Sequence, residues 1–189
     1  LSSILYKKKY RIFLLDRSQK KRKINQINFG SKIKIVKGDF KNFNQLKNII
    51  KRNKINTIIH LGASTQVIDS YENPYDTFQT NIIGTINILE AVRIINKNIN
   101  IIFSSTVKAY GKMAKKSYKE TDPLNGDLPD EVSKSAADLV AQSYAKTYGL
   151  KVGIFRSCNI YGPADFNMDR LIPITDPEFK KLLDFVIKK

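Results

Sequence analysis

The 189-residue sequence has one cysteine, one histidine and no tryptophan. A single thiol, Cys158, excludes a disulfide framework and any zinc site built from several cysteines. Nine glycines and six prolines without a short period exclude collagen-like, coiled-coil and low-complexity chains. No apolar run approaches the roughly 18 residues that a membrane span needs, and Ile99-Asn100-Ile101-Ile102-Phe103 is typical of those present. The succession of basic region, apolar region and cleavage site that marks export is missing too. These absences predict a soluble cytoplasmic domain, long enough for one real core.

Negative charge is also scarce. Asp and Glu number 17 against 33 Lys and Arg, a net charge of +16. Residues 1–54 hold 17 of the basic residues and only two acidic ones, Asp16 and Asp39, so the rest of the chain is close to neutral. One reading is an electrostatic footprint for nucleic acid or another polyanion. The other is compositional, since Ile, Lys and Asn are over-used together and surface Lys absorbs such bias at little cost. No helix-turn-helix spacing, base-stacking aromatic strand or zinc ligand set accompanies the charge, which favours the compositional reading.

The chain opens at Leu1 inside an apparent helix, with Leu1, Ile4 and Leu5 at helical spacing and Lys7-Lys8-Lys9 at its end. Short apolar runs then alternate with helical stretches. Ile12–Leu15, Ile33–Val36, Thr57–Leu61, Ile99–Phe103 and Lys151–Phe155 read as strands. Phe43–Arg52, Asn81–Ile95 and Ser133–Tyr148 read as helices, the last closed by Gly149. Lys20–Phe29 is a basic, Asn-rich connection. Continuously apolar strands spaced by helices predict an α/β fold with a doubly wound parallel sheet. Ligands of such sheets lie beyond the carboxyl ends of the strands. Here those ends carry Asp16, Asp39, Gly62-Ala63-Ser64, Ser104-Ser105-Thr106 and Asn159.

Asp16 has a structural reading as a turn residue and a functional one. In a dinucleotide fold a carboxylate at this place takes the adenosine ribose hydroxyls and repels a 2′-phosphate, which favours NAD over NADP. Arg17 and Lys20-Lys21-Arg22-Lys23 work against that preference.

A set of ordered motifs goes further: Gly38-Asp39-Phe40, His60-Leu61-Gly62-Ala63, Asn73-Pro74, Thr80-Asn81-Ile82-Ile83-Gly84-Thr85, Tyr118-Lys119-Glu120-Thr121-Asp122-Pro123 and Asn159-Ile160-Tyr161-Gly162-Pro163. Together they resemble the extended short-chain dehydrogenase/reductase family of NAD-dependent nucleotide-sugar epimerases and dehydratases, over about residues 1–173. Ser105-Thr106-Val107-Lys108-Ala109-Tyr110-Gly111 and the segment from Asp165 to Pro173 are most similar to its CDP-glucose 4,6-dehydratase branch.

The resemblance implies a Rossmann-type domain over residues 1–173 with the entrance to a substrate domain, and a short basic tail at 174–189. It implies NAD as cofactor, a nucleotide-sugar as substrate, a homodimer, and oxidation at the sugar C4 followed by elimination or epimerisation. No metal, membrane or specific nucleic acid is implied. The implied cofactor contacts are Asp16, Asp39, Phe40, Leu61, Gly62, Ala63, Asn81, Ser104 and Lys134. Thr106 would orient the sugar, with Asn159 and Arg170 on the nucleotide-sugar. His60 reads as structural.

Three departures stand against these matches. The family's glycine-rich phosphate loop, with the first strand of its sheet, does not occur in residues 1–189. The catalytic tyrosine position, four residues before Lys134, is Asp130. The acid of the dehydratase branch is Val107, with Lys108 beside it. The implied catalytic set is therefore Thr106, Lys108, Lys134 and Asp130 in place of tyrosine. Asp130, just ahead of a helix begun near Ser133, is expected to pair with the Lys134 ammonium. Two alternatives stay open: a non-catalytic homologue acting as a binding or subunit-interface module and, more remotely, a basic nucleic-acid-binding domain.

Overall fold

A computed structural model describes residues 1–17, 33–112 and 117–160. Residues 1–156 form one compact unit and 157–189 a second. The sequence-predicted boundary at residue 173, the connection at 20–29 and the tail lie outside the described residues.

Helix α1 (Ser2–Lys7) leads into strand β1 (Ile12–Asp16), which pairs in parallel with β2 (Ile33–Lys37) from Ile12↔Ile33 to Asp16↔Lys37. After α2 (Phe43–Arg52), β3 (Thr57–His60) pairs in parallel with β4 (Asn100–Thr106), from Thr57↔Asn100 to His60↔Phe103. Strand β5 (Lys151–Ser157) completes a three-stranded sheet of order β3-β4-β5. The described strands thus form two sheets, β1-β2 and β3-β4-β5. Alternating strand and helix is the doubly wound α/β arrangement that the apolar runs predict.

Between β3 and β4 run α3 (Val67–Glu72), α4 (Pro74–Phe78), a π-helical turn (Gln79–Ile83) and α5 (Gly84–Ile95). A single helix was expected from Asn81. The π-turn delays it, because widening the helix by one residue per turn breaks the regular period at Gln79–Ile83. A 3₁₀ turn (Val107–Tyr110) follows β4, and α6 spans Pro129–Tyr148.

Local chemistry sets the ends. The Asn42 side chain accepts from the Gln45 N–H at 3.0 Å to start α2. Pro129 occupies the first turn of α6, and Asp130 and Glu131 lie where negative charge favours a helix N-terminus. These three start the helix four residues ahead of Ser133. Gly149 stops it in the left-handed region, φ 70°, its N–H bonded to the Ala145 carbonyl at 3.1 Å.

The core lies where α2, α5 and α6 cover β4. Leu46 and Ile50 from α2 meet Leu89 and Val92 of α5 and Ile101 and Phe103 of β4, all at most 5% exposed. Full burial of such side chains contributes about 1.5–3 kcal/mol each. The helix predicted around Leu1 forms, but Leu1 and Ile4 remain exposed, so its apolar face meets no core. No helix among the described residues is long and apolar enough to cross a membrane.

Candidate active site

The carboxyl ends of β1, β2 and β3 open on one cavity of about 660 Å³, closed on its far side by α3, α4 and the π-turn. Leu15, Asp16 and Arg17 reach it from β1, Gly38 and Phe40 from the loop after β2, and Gly62 to Gln66 from the loop after β3. Thr77 and Thr80 line its helical wall. Of the sequence-predicted cofactor contacts, Asp16, Phe40, Gly62 and Ala63 share this space. Asp39 instead lines a shallower depression with Lys41 to Gln45, and Leu61 is 55% exposed.

Phe40 has a second duty. Its ring packs against the Cα atoms of Gly62 and Gly84, where an added Cβ would overlap it, and meets His60 edge-on at 5.4 Å. The loop carrying it is fixed from three sides. Asn87 Nδ2 donates to the Phe40 and Lys41 carbonyls at 3.1 and 2.8 Å. The Asp39 carboxylate accepts from the Lys41 N–H at 2.9 Å. Lys41 Nζ binds Asp76 Oδ1 at 2.7 Å, and this hydrogen bond holds the Asp76 carboxyl below its usual range.

Thr80 escaped the sequence reading. It is 5% exposed, its Oγ1 has no hydrogen-bond partner among the described residues, and it borders the cavity. The only available signal was its place directly before Asn81, and the π-turn hides its direction from any 3.6-residue pattern. Asn81 itself is 2% exposed and ties three elements together. Its Oδ1 accepts from the Ser64 N–H at 2.8 Å, and its Nδ2 donates to the Ser64 carbonyl and to Ser133 Oγ at 3.0 and 2.8 Å. Ser133 Oγ in turn donates to the Asp130 carbonyl at 2.7 Å.

His60 ends β3 at 6% exposure, stacked on Phe103. Thr85 gives its hydroxyl proton to the Asn81 carbonyl at 2.6 Å, so His60 Nε2 donates to Thr85 Oγ1 at 3.1 Å. Burial, helped by the nearby Lys134 charge, pushes the imidazole pKa down to about 3. The histidine is a neutral structural group, as its sequence position suggested.

A second cluster forms around the end of β4 and the first turn of α6. Thr106 is half-buried and its hydroxyl accepts from the Lys108 N–H at 3.3 Å. Ser104 is half-buried on the same strand. Lys108 Nζ meets Asp130 Oδ2 at 3.2 Å. This corrects the expected Asp130–Lys134 pair. Because α6 begins at Pro129, Asp130 is already in the helix, and its carboxylate is taken by the 3₁₀ turn rather than by the residue one turn on. Lys134 is half-buried and has no ion-pair partner among the described residues, and burial lowers its pKa.

Behind this cluster lies a buried ion pair that the sequence did not disclose. Arg156 Nε and Nη2 donate to the two carboxylate oxygens of fully buried Asp138 at 2.8 and 3.0 Å. Its Nη1 donates to Tyr110 Oη and to the Glu120 carbonyl, both at 2.9 Å. The hydrogen bonds from Arg156 hold the Asp138 carboxyl low against the opposing effect of burial. Asn159 is exposed and belongs to the second unit, and Arg170 lies outside the described residues.

The GDP-mannose 4,6 dehydratase family matches residues 1–175. CDP-paratose 2-epimerase of Salmonella typhi is 36% identical over 147 residues, 69% of this chain and 44% of that protein. CDP-glucose 4,6-dehydratase of Salmonella typhimurium is 31% identical over 146 residues, 72% of this chain and 41% of its own length. Among solved structures, the dTDP-glucose 4,6-dehydratase DesIV of Streptomyces venezuelae, with NAD and DAU bound, superposes with a TM-score of 0.81 at 27% identity, covering 96% of this chain and 57% of its own. The chain spans less than half the length of these two curated relatives. With a Rossmann-like arrangement of strands and helices and a family match over nearly its whole length, the chain belongs to the GDP-mannose 4,6 dehydratase family of nucleotide-sugar dehydratases and epimerases.

Proposed function

We propose that this chain carries the dinucleotide half of an enzyme that oxidises a nucleotide-sugar at C4 with NAD and then eliminates water or epimerises. The carrying observation is the 660 Å³ cavity, in which a strand-end carboxylate, Asp16, a glycine approach at Gly62 and the unpartnered Thr80 hydroxyl meet. These residues fit the adenosine and ribose portions of NAD. Asp16 takes the ribose hydroxyls and disfavours the 2′-phosphate of NADP. Gly62 and Ala63 let the backbone approach, and Thr80 supplies a hydrogen bond that none of the described residues satisfies. Lys134 binds the nicotinamide ribose, Thr106 orients the sugar hydroxyl, and Asn159 and Arg170 contact the nucleotide-sugar. The chemistry that NAD supplies when bound is acceptance of hydride from the sugar C4. Cytoplasmic location and a homodimer belong to the same proposal. The dimer draws support from Ile83 just before α5, Ile94 on α5 and Leu139 on α6, apolar side chains 38%, 51% and 51% exposed.

The chain lacks the glycine-rich cradle for the pyrophosphate, a loss of several charge-assisted hydrogen bonds at about 1.5–3 kcal/mol each. Calorimetry is expected to show millimolar NAD binding, weaker still for NADP, and reduced about tenfold (~1.4 kcal/mol) by Asp16→Ala and by Thr80→Val. Micromolar binding would contradict the missing cradle, and indifference to both substitutions would remove the cavity assignment.

A second reading, a binding homologue without turnover, is favoured by the Lys108–Asp130 pair. A tyrosine whose pKa is lowered by a neighbouring ammonium removes the sugar hydroxyl proton; Asp130 is shorter, is a far weaker base and is tied to Lys108. Joined to a family glycine-rich segment, the chain with Asp130 is expected to bind NAD without oxidising a nucleotide-sugar. Asp130→Tyr in that protein is expected to restore cofactor reduction, with Val107→Asp also required before water is lost. Ordinary family rates with Asp130 intact would refute the second reading.

A further inference from the structure

Of the sixteen asparagines in the sequence, only Asn125 is followed by glycine. The pair lies in the irregular stretch ahead of α6, with Asn125 exposed to water. The main chain around it is held with little slack. The Asn125 N–H donates to the Ala109 carbonyl at 3.0 Å, and the Gly126 N–H donates to Ser135 Oγ at 3.3 Å. The same hydroxyl donates to the Ala109 carbonyl at 2.7 Å, so both amides are anchored on the 3₁₀ turn after β4. Ala109 and Ser135 are buried. On the other side the Asn125 carbonyl presses on Gly111, whose φ of 68° and missing Cβ permit the approach. A Cβ added to Gly126 would lie 2.5 Å from the Glu131 carbonyl carbon. Together these contacts form a latch between the loop, the 3₁₀ turn and α6.

We propose that Asn125-Gly126 is a self-modification site, converted to isoaspartate when this latch opens, and that the conversion keeps the latch from closing again. Glycine has no side chain to shield its own nitrogen from a neighbouring carbonyl. In the open loop the Gly126 backbone nitrogen gives up its proton and bonds to Asn125 Cγ, and the side-chain amide nitrogen leaves as ammonia. One water then opens the cyclic imide. Attack at Cγ yields aspartate; attack at the former main-chain carbonyl yields isoaspartate, with the chain running through Cβ and Cγ. No oxidant or cofactor is consumed. In the closed loop the attacking nitrogen is engaged with Ser135, so reaction waits on local opening. Once isoaspartate forms, the backbone is one atom longer, and a carboxylate replaces the carbonyl packed on Gly111. That contact has no room even for a Cβ. The 3₁₀ turn that carries Lys108 then loses its tie to residues 125 and 126. The proposal rests on loop geometry and is independent of the nucleotide reading.

Ageing of residues 1–189 at neutral pH, followed by peptide mapping of isoaspartate and by ammonia release, tests it. In urea, Asn125 is expected to convert at least about tenfold faster than any other asparagine, and in the folded chain at least about tenfold slower than in urea. Ser135→Ala is expected to raise the folded rate about fivefold, the equivalent of one hydrogen bond, and to leave the rate in urea unchanged. In the converted protein the Gly111 and Gly126 amides are expected to exchange hydrogen at least about tenfold faster, while β4 stays protected. A rate at Asn125 no higher than elsewhere in urea, or equal rates folded and unfolded, overturns the proposal. So does a Ser135→Ala rate equal to that of the wild type, or an isoaspartate form with unchanged exchange. Should Ser135→Ala fail to fold, the folded and unfolded rates of the wild type and the exchange of its isoaspartate form decide alone.

Discussion

Lys108 Nζ lies 3.2 Å from Asp130 Oδ2, joining the 3₁₀ turn after β4 to the first turn of α6. The two sides are unequal: the Asp130 side chain is 9% exposed and that of Lys108 51%. Among the described residues, Asp130 Oδ1 has no hydrogen-bond partner, and Lys108 supplies the only ion pair of this carboxylate.

Removing Lys108 therefore leaves a nearly buried carboxylate without a counter-charge. Lys108→Met is expected to cost about 1–3 kcal/mol, at the low end because the lysine is half in solvent. Urea unfolding at pH 7 measures it. Asp130→Asn in the Lys108→Met background is expected to recover most of the loss, since the amide needs no counter-charge. Equal stability of the wild type and Lys108→Met would show that the pair contributes nothing.

His60 predicts a pH dependence. Its pKa falls from 6.5 in the unfolded chain to about 3 in the folded one, so between those values the unfolded state binds the extra proton. Stability is full above pH 6.5 and declines as the pH drops toward 3, by at most about 1.4 kcal/mol per pH unit. Unfolding midpoints at pH 7, 6 and 5 isolate this effect, because carboxylates titrate lower. His60→Gln is expected to be less stable at pH 7 and to flatten the profile above pH 5. An equally steep profile without the imidazole would assign the dependence to other groups.

Much of the scaffold was legible because each strand is an apolar run and each run starts within one residue of the observed strand. The helix that carries Lys134 was legible, but its start was set four residues late, which left Asp130 outside it: Ser133 resembles a cap, whereas Pro129 and the two acids after it are a stronger N-terminal signal. That displacement generated the wrong partner for Asp130. The π-turn and the Arg156–Asp138 pair were not legible at all. A local widening of a helix leaves no period, and an ion pair 18 residues apart has no sequence spacing to mark it. Phe40 was counted among the cofactor contacts by resemblance; its packing between two glycines needed the folded chain.

Arg156 is expected to be the most sensitive charged residue in the first unit. Arg156→Ala strands the fully buried Asp138 carboxylate and also releases Tyr110 and the Glu120 carbonyl. Breaking such a pair costs about 3–5 kcal/mol. Arg156→Lys is expected to recover little, because one ammonium cannot reproduce two parallel bonds to Asp138 together with the two on Nη1. The double replacement Asp138→Leu with Arg156→Leu is expected to be milder than Arg156→Ala, since no buried charge remains. The folded pKa of Asp138 is depressed, so this contribution is present above the ordinary carboxylate pKa and is lost as pH falls through the lower folded value. Thermal unfolding of the three variants at pH 7 ranks them, and a mild Arg156→Ala would contradict the geometry.

The last prediction concerns the contact between Phe40 and Gly84. A Cβ on residue 84 would overlap the Phe40 ring, and one on residue 62 would lie 2.7 Å from Phe40 Cε1. The ring cannot simply swing away. Asn87 holds the Phe40 and Lys41 carbonyls, the Lys41–Asp76 bridge pins the loop to α4, and His60 abuts the ring. Gly84→Ala gains about 1 kcal/mol of helix propensity over glycine, but overpacking costs about 1–3 kcal/mol, so a net loss is expected. Phe40 also lines the cavity, so the displaced ring is expected to weaken NAD binding further. Phe40→Leu in the Gly84→Ala protein trims the ring where the new methyl enters and is expected to restore part of the stability. If Gly84→Ala alone is neutral or stabilising in urea unfolding, the loop yields more readily than its hydrogen bonds indicate, and Phe40 is not a fixed wedge between the two glycines.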